Sequence, residues 1–129
     1  MTQKNQIYKC EICGNIVEVL HEGAGELVCC GKPMNLQEEN TVDAANEKHI
    51  PIIEEIGEDK IKVKVGGVDH PMTEEHYIEF IEVIANKRVL RKTLTPGEKP
   101  EKEFTIRSKP FTARAYCNLH GVWKSKTIS

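Results

Sequence analysis

The chain has no apolar run long enough to cross a membrane, no excess of basic residues and no recognisable secretory leader. A transmembrane helix needs about 18 or more consecutive apolar residues, and no stretch of the sequence approaches that length. The 18 lysines and arginines stand against 20 aspartates and glutamates, so the net charge of −2 argues against a general nucleic-acid-binding protein. The first residues lack an apolar segment and a small-residue cleavage site, so we expect a cytoplasmic protein with no membrane or nucleic-acid partner.

Cysteine is the most informative residue type in the chain. The five cysteines are Cys10, Cys13, Cys29, Cys30 and Cys117. An odd number of cysteines without a secretory signal is a poor basis for a set of disulfides. Clustered thiols in a reducing compartment more often bind a metal ion, so the sequence predicts a metal-binding protein.

Four of the five cysteines lie within residues 1–37, which contain few large apolar side chains. A segment of less than about 40 residues seldom folds without a disulfide or a metal. The four thiolates form a donor set that is typical of zinc or iron. We therefore predict a metal-binding domain over residues 1–37, followed by a second domain over residues 38–129.

The second cysteine pair is unusual because Cys29 and Cys30 are adjacent in the sequence. Neighbouring side chains tend to point in opposite directions, so binding one metal through both sulfurs requires a strained backbone or a distorted tetrahedron. On four-sulfur geometry alone, a structural zinc site is favoured over an iron site. A disulfide between the two cysteines is a less favoured alternative, since its small ring would be strained.

Residues 38–129 have the pattern of short β-strands separated by turns. Residues 60–65 alternate lysine with an apolar residue, which predicts a half-buried strand. Residues 76–84 fit either a helix or a strand, and their β-branched and aromatic side chains favour a strand. Six or seven such segments predict a mainly β chain, in which an antiparallel β-sandwich follows the small metal-binding domain.

Four histidines and the last cysteine are candidates for a second metal site. Cys117 and His120 have metal-ligand spacing at the end of a predicted strand, and His49, His70 and His76 lie near loops. No spacing rule assigns these five residues to one metal. Taken singly, each histidine is more often a surface or hydrogen-bonded residue, and a lone cysteine is usually a buried apolar residue.

Longer motifs decide between these interpretations. In chain order they are residues 8–15 (YKCEICGN), 28–31 (VCCG), 47–51 (EKHIP), 70–72 (HPM), 75–79 (EHYIE) and 116–123 (YCNLHGVW). With these motifs, the sequence closely resembles desulfoferrodoxin, the two-iron class of superoxide reductase, over essentially its whole length.

The resemblance implies two iron ions per chain. The first would lie in a desulforedoxin-like domain and be held by Cys10, Cys13, Cys29 and Cys30. The second, catalytic iron would lie in an immunoglobulin-like β-sandwich and be held by His49, His70, His76, His120 and Cys117. This iron would reduce superoxide to hydrogen peroxide by one electron, without evolving oxygen.

The resemblance also implies roles for two charged residues and a set of partners. Lys48 would supply positive charge at the open face of the catalytic iron, and Glu47 would occupy the sixth position of the oxidised iron. A rubredoxin-like protein would donate electrons, and the small first domain would pair in a homodimer. One departure is Ala115, where the family often has Glu, so the surroundings of the Cys117 thiolate differ.

Two other functions fit parts of the sequence. One is a rubredoxin-like electron-transfer protein, in which the four-cysteine iron is the working centre and the second domain is a scaffold. The other is a zinc-ribbon interaction module. The visible spectrum distinguishes the three, because iron in four thiolates is red, a zinc protein is colourless, and a ferric thiolate–histidine site adds a blue band.

Overall fold

The computed structural model describes residues 1–42 and 48–129. The chain divides into two compact units, Met1–Glu38 and Glu39–Ser129. Within the described residues, no helix is long and apolar enough to span a membrane. The regular structure consists of β-strands, as the sequence predicts.

The first unit contains five short strands. They are β1 (Ile7–Lys9), β2 (Ile16–Glu18), β3 (Val28–Cys29), β4 (Lys32–Pro33) and β5 (Asn35–Gln37). They form a three-stranded sheet in the order β2-β1-β5 and a separate hairpin of β3 and β4. Only Ile7, Cys10 and Val19 are buried apolar residues in this unit, so its own core is small.

The second unit is an immunoglobulin-like β-sandwich. Its strands are β6 (Glu39–Asn40), β7 (Pro51–Gly57), β8 (Lys60–Val65), β9 (Ile78–Ala85), β10 (Arg88–Thr93), β11 (Glu101–Thr105), β12 (Phe111–Cys117) and β13 (Gly121–Lys124). A five-stranded sheet has the order β10-β9-β12-β13-β6, and a three-stranded sheet has the order β11-β8-β7. The strand pairs are antiparallel except for β6 and β13, which run parallel.

The alternation predicted for residues 60–65 is confirmed. Ile61, Val63 and Val65 are buried and face the core, while the lysines between them are exposed or half-buried. The ambiguous segment at 76–84 is a strand, β9, because its β-branched residues pack on the extended backbone of β12. Strand β9 begins only at Ile78, so His76 remains in the preceding loop.

A buried ion cluster lies on the other face of the five-stranded sheet. Glu82 of β9 is fully buried and accepts hydrogen bonds from Arg114 Nε at 2.8 Å and Arg91 Nε at 2.9 Å. Arg114 also bonds Glu39 of β6 through Nη1 at 3.1 Å. Glu39 is the first residue of the second unit, so this cluster fastens the beginning of that unit to its sheet.

Candidate metal centres

The first donor pair lies in a tight turn after β1. Cys10 N–H donates to the Asn15 carbonyl at 2.8 Å, and Gly14 N–H donates to the Cys10 carbonyl at 2.9 Å. Gly14 has a φ of 83°, in the left-handed region that glycine adopts without strain. The turn brings Cys13 N–H within 3.4 Å of the Cys10 sulfur, so both thiols lie on the same side of the loop.

The second donor pair explains how two adjacent cysteines can reach one point. Cys29 ends β3, and Cys30 has a φ of 53°, followed by Gly31 at 75°. A left-handed residue reverses the alternation of an extended strand, at a cost of about 1–2 kcal/mol for a non-glycine. The Cys13 and Cys29 sulfurs lie 3.5 Å apart. The sulfurs of Cys10, Cys13, Cys29 and Cys30 all lie within 4.8 Å of one another.

We call these four thiols the four-cysteine site, and three of them have shifted pKa values. The backbone N–H of Cys13 donates to the Cys10 sulfur and lowers the pKa of Cys10 to about 6. The thiol of Cys13, followed by that of Cys29, raises the pKa of Cys30 to about 12. The pKa of Cys29 is also raised, first by Cys13. One thiolate therefore forms readily, whereas four neighbouring thiolates require a cation among them, as a metal site does.

The second donor group is brought together from distant parts of the sequence. One ligand atom from each of His49, His70, His76 and Cys117 lies within 4.8 Å of the others. His120 Nδ1 lies 3.2 Å from His49 Nε2 and 3.8 Å from the Cys117 sulfur. The structure thus gathers all five residues that the sequence singles out, and we call them the histidine–cysteine site.

The four imidazoles form a closed ring. In the order His49, His70, His76, His120, the successive ring centroids lie 4.6, 4.7, 5.1 and 5.0 Å apart, the last distance closing the ring on His49. The angles between successive ring planes run from 60° to 85°. Successive imidazoles are therefore arranged edge to face rather than stacked on one another. Such an arrangement suits nitrogen donors that share one metal ion.

The loop before β9 holds two of the histidines by short local contacts. His76 N–H and the Thr73 carbonyl lie 3.2 Å apart, and Thr73 N–H donates back to the His76 carbonyl at 3.0 Å. His70 Nδ1 lies 2.8 Å from the Pro71 carbonyl, a contact that requires the proton on Nδ1. In the neutral imidazole the lone pair is then on Nε2, the nitrogen left to bind a metal.

Asn118 joins this loop to the loop that carries Cys117 and His120. Its side-chain oxygen accepts from Tyr77 N–H at 2.9 Å, and its side-chain amide donates to the Glu75 carbonyl at 3.0 Å. Its backbone N–H donates to the Tyr77 carbonyl at 3.1 Å. These bonds fix the position of His76 relative to Cys117.

Cys117 emerges from the apolar core at the end of β12. The pairing with β9 slips between Tyr116 and Cys117, so that Cys117 lies opposite Ile78. An irregularity of this kind redirects a side chain at the end of a strand. Cys117 and Ala115 are both fully buried in the hydrophobic cluster between the sheets. The Cys117 sulfur is therefore surrounded by apolar side chains rather than by water.

Exposure is uneven around the histidine–cysteine site. His49 and His70 are buried, His76 is half-buried, and His120 is exposed. The site therefore lies nearest the surface on the side of His76 and His120. Four imidazole nitrogens and one thiolate are a donor set that fits iron, and the four-cysteine site fits iron or zinc.

Not every candidate residue can be placed. Lys48 is half-buried and directly precedes His49. Glu47 lies outside the described residues.

Three further residues, which the sequence does not single out, hold parts of the histidine–cysteine site in place. They are Trp123, Asn118 and Gly66. Their contacts join segments far apart in the chain, and no local pattern signals such contacts.

Comparisons with known proteins agree with the two donor groups. The family models "Desulfoferrodoxin, N-terminal domain" and "Desulfoferrodoxin" match residues 2–37 and 41–126. A desulfoferrodoxin of Syntrophotalea carbinolica is 62% identical over 126 residues, covering 98% of this chain and 99% of the relative. A desulforedoxin of Megalodesulfovibrio gigas is 56% identical over 34 residues, covering 26% of this chain and 92% of the relative. The solved structure of the superoxide reductase from Treponema pallidum matches with a TM-score of 0.78 and 32% identity, covering 94% of this chain and 97% of that one.

Proposed function

The chain belongs to the desulfoferrodoxin family, and on that premise we propose which of its residues carry out the reaction and which partners it meets. The chain is a superoxide reductase, which adds one electron and two protons to superoxide and releases hydrogen peroxide without evolving oxygen. Its two donor groups match the two iron centres of the family. The observation that carries this conclusion is the closed ring of four imidazoles beside the Cys117 sulfur.

The residues of the histidine–cysteine site would hold an iron ion, which would supply the electron that superoxide accepts. The chain's own residues tune that step. Imidazoles from His49, His70, His76 and His120 would suit a ferrous ion, and the Cys117 thiolate would add electron density to it. The apolar surroundings of Cys117 keep water away from the sulfur.

Lys48 is the residue that we assign to steering the substrate. Superoxide is an anion, whereas the chain as a whole carries a net charge of −2. A cation beside His49 counters this unfavourable overall charge and raises the local concentration of superoxide. Lys48 also offers a proton donor, through water, for the peroxide product.

The test is Lys48→Ile in the prereduced protein, with the decay of pulse-generated superoxide as the measurement. We expect the second-order rate constant to fall about 10-fold or more, and the wild-type rate to fall as salt is added. Lys87→Ile is the matched control, because Lys87 is exposed in the turn that follows β9, whereas His76 precedes that strand, which is about 25 Å long. A rate indifferent to Lys48 and to ionic strength would overturn the steering role.

Glu47 is proposed as a carboxylate that would bind the oxidised iron at the histidine–cysteine site. The support is its place in the motif at residues 47–51. Glu47→Ala is expected to shift the oxidised absorption band while leaving the reaction of the prereduced protein with superoxide in place. An unshifted band would contradict the assignment.

The electron donor is proposed to be a rubredoxin-like protein in the cytoplasm. The four-cysteine site would then be an accessory centre, because the chemistry takes place at the histidine–cysteine site. Stopped-flow mixing of oxidised protein with reduced rubredoxin tests the donor class. Bleaching of the histidine–cysteine band at a rate that saturates with rubredoxin supports it, and no bleaching rejects it.

A homodimer built through the first unit is supported by that unit's surface. Leu20 is 77% exposed and Val28 is 59% exposed, although the unit has few buried apolar residues of its own. Pairing with a second copy would cover such side chains and enlarge the core. Sedimentation should give twice the 14.6 kDa chain mass, and Leu20→Glu with Val28→Glu should give the single-chain mass. A monomeric wild type would reject the proposal.

The division into functional domains is proposed at residues 37 and 38. The support is that each donor group lies wholly on one side of that boundary. A chain of residues 38–129 is expected to bind one iron and to react with superoxide when prereduced. Failure of this chain to bind iron, with the full chain as control, would contradict the division.

A further inference from the structure

We propose that Gly66 is a positioning residue that sets the path of the backbone at Lys48 and His49. Gly66 directly follows β8 and is buried, with a φ of 87°. A Cβ at this position would overlap the carbonyl oxygen of Lys48 and would lie 2.9 Å from the Lys48 carbonyl carbon. It would also lie 2.7 Å from the Val68 carbonyl oxygen, and Cβ atoms essentially never approach closer than 3.0 Å.

The added Cβ would meet only backbone atoms, so no change of a neighbouring rotamer could relieve the overlap. Gly66 cannot readily withdraw, because Val65 beside it is fully buried and donates its N–H to the Pro100 carbonyl at 2.8 Å. Val65 also pairs with Pro51 in the sheet. A side chain at Gly66 would therefore displace the Lys48 peptide rather than the end of β8.

The displaced peptide links two functional side chains. Its carbonyl belongs to Lys48, and its nitrogen belongs to His49, a residue that is 1% exposed and whose ring stacks on Trp123. A shift of about 1 Å in a positioning element can lower a rate 100-fold. Because Gly66 has no side chain, the Lys48 peptide can keep its position, and with it the positions of the Lys48 ammonium group and the His49 imidazole. The first part rests on the proposed role of Lys48.

The test compares Gly66→Ala with two matched glycine variants. Gly97→Ala carries the same backbone penalty, since its φ is 94°, but a Cβ there has no atom within 4 Å. Gly67→Ala changes the same turn, where the Cβ meets only Ile52 Cδ1 at 3.8 Å. Gly66→Asn is a second test variant, because asparagine tolerates positive φ better than alanine while keeping the Cβ.

Fluorescence gives a readout that does not depend on turnover. The chain has one tryptophan, and Trp123 is stacked on His49. In the full-length protein we expect the Gly66 variants to shift its emission, and the Gly67 and Gly97 variants to leave it unchanged. The prereduced Gly66 variants should react with superoxide about 10-fold or more slowly, with a weaker salt dependence. In a Lys48→Ile background, Gly66→Ala should cause a much smaller further loss.

Two results would overturn the proposal. One is a folded Gly66→Ala protein with wild-type emission, rate and salt dependence. The other is failure of both Gly66 variants to fold while Gly97→Ala folds, which would make the contact a requirement of the β-sandwich as a whole. The steering role fails separately, because it is tested by Lys48→Ile alone.

Discussion

The indole ring of Trp123 lies flat against the imidazole of His49, with ring centroids 4.5 Å apart and planes 14° apart. Its Nε1–H donates to the carbonyl of His120 at 3.1 Å. The side chain of Trp123 in β13 thus contacts both His49 and His120. These two members of the group of four imidazoles are 71 residues apart in the sequence. Such outer contacts fix the orientation of metal ligands, and their loss typically weakens metal binding by about 10- to 100-fold.

Trp123→Leu is expected to weaken iron binding at the histidine–cysteine site about 10-fold or more, because both contacts are lost. Trp123→Phe keeps a ring to stack on His49 and loses only the hydrogen bond, so its effect should be smaller. Titration with a chelator measures the iron affinity of both variants, with the oxidised absorption band of this site reporting how much iron remains bound. Equal affinity in Trp123→Leu and wild type would contradict the role assigned to the indole.

Cys117→Ser replaces the thiolate by an alcohol at a fully buried position. An alcohol is a poor donor to iron, so we expect the blue oxidised band and the reduction of superoxide both to be lost. The red absorption of the four-cysteine site should remain, which provides an internal control in the same sample. A mutant that keeps the blue band would show that Cys117 is not the axial ligand.

Cys13→Ser removes one donor from the four-cysteine site. We expect loss of the red chromophore and a less stable first unit, because metal binding supplies much of the folding free energy of so small a domain. The β-sandwich has its own apolar core, so the prereduced mutant should react with superoxide at close to the wild-type rate. Loss of that reaction with the second iron still bound would favour the electron-transfer alternative.

Arg114→Met tests the ion cluster beneath the sheet. Glu82 is fully buried and accepts from Arg114, so removing this guanidinium should lower the free energy of unfolding by about 3–5 kcal/mol. Lys124→Met is the control, because Lys124 is half-buried and lies 3.9 Å from Glu39, and its loss should cost about 1 kcal/mol or less. Urea unfolding of both variants measures the difference. Similar values for the two would contradict the cluster's structural role.

The sequence predicts the strands well because their signal is local. Residues 60–65 alternate in the chain as they alternate in the sheet, and the Cys-x-x-Cys spacing of Cys10 and Cys13 is itself the geometry of a turn. The adjacency of Cys29 and Cys30 predicts a strained backbone or a distorted tetrahedron, and the structure has the strained backbone, a left-handed φ at Cys30.

The histidine–cysteine site could not be assembled from spacing alone. His49 and His120 come together only because the strands between them close into a sandwich, so the resemblance to a family was needed to group the five residues. The contacts of Gly66 with Lys48 and of Arg114 with Glu39 have the same long-range origin. Local patterns carry no information about either contact.

The central claim is that the chain reduces superoxide rather than dismutating it, and the yield of products tests this most directly. Prereduced protein in excess is mixed with a known amount of superoxide, and hydrogen peroxide and oxygen are both measured. Reduction predicts one hydrogen peroxide for each superoxide, no oxygen, and one oxidised histidine–cysteine site for each peroxide formed. Half as much peroxide, accompanied by an equal amount of oxygen and no net oxidation of the iron, would contradict the account.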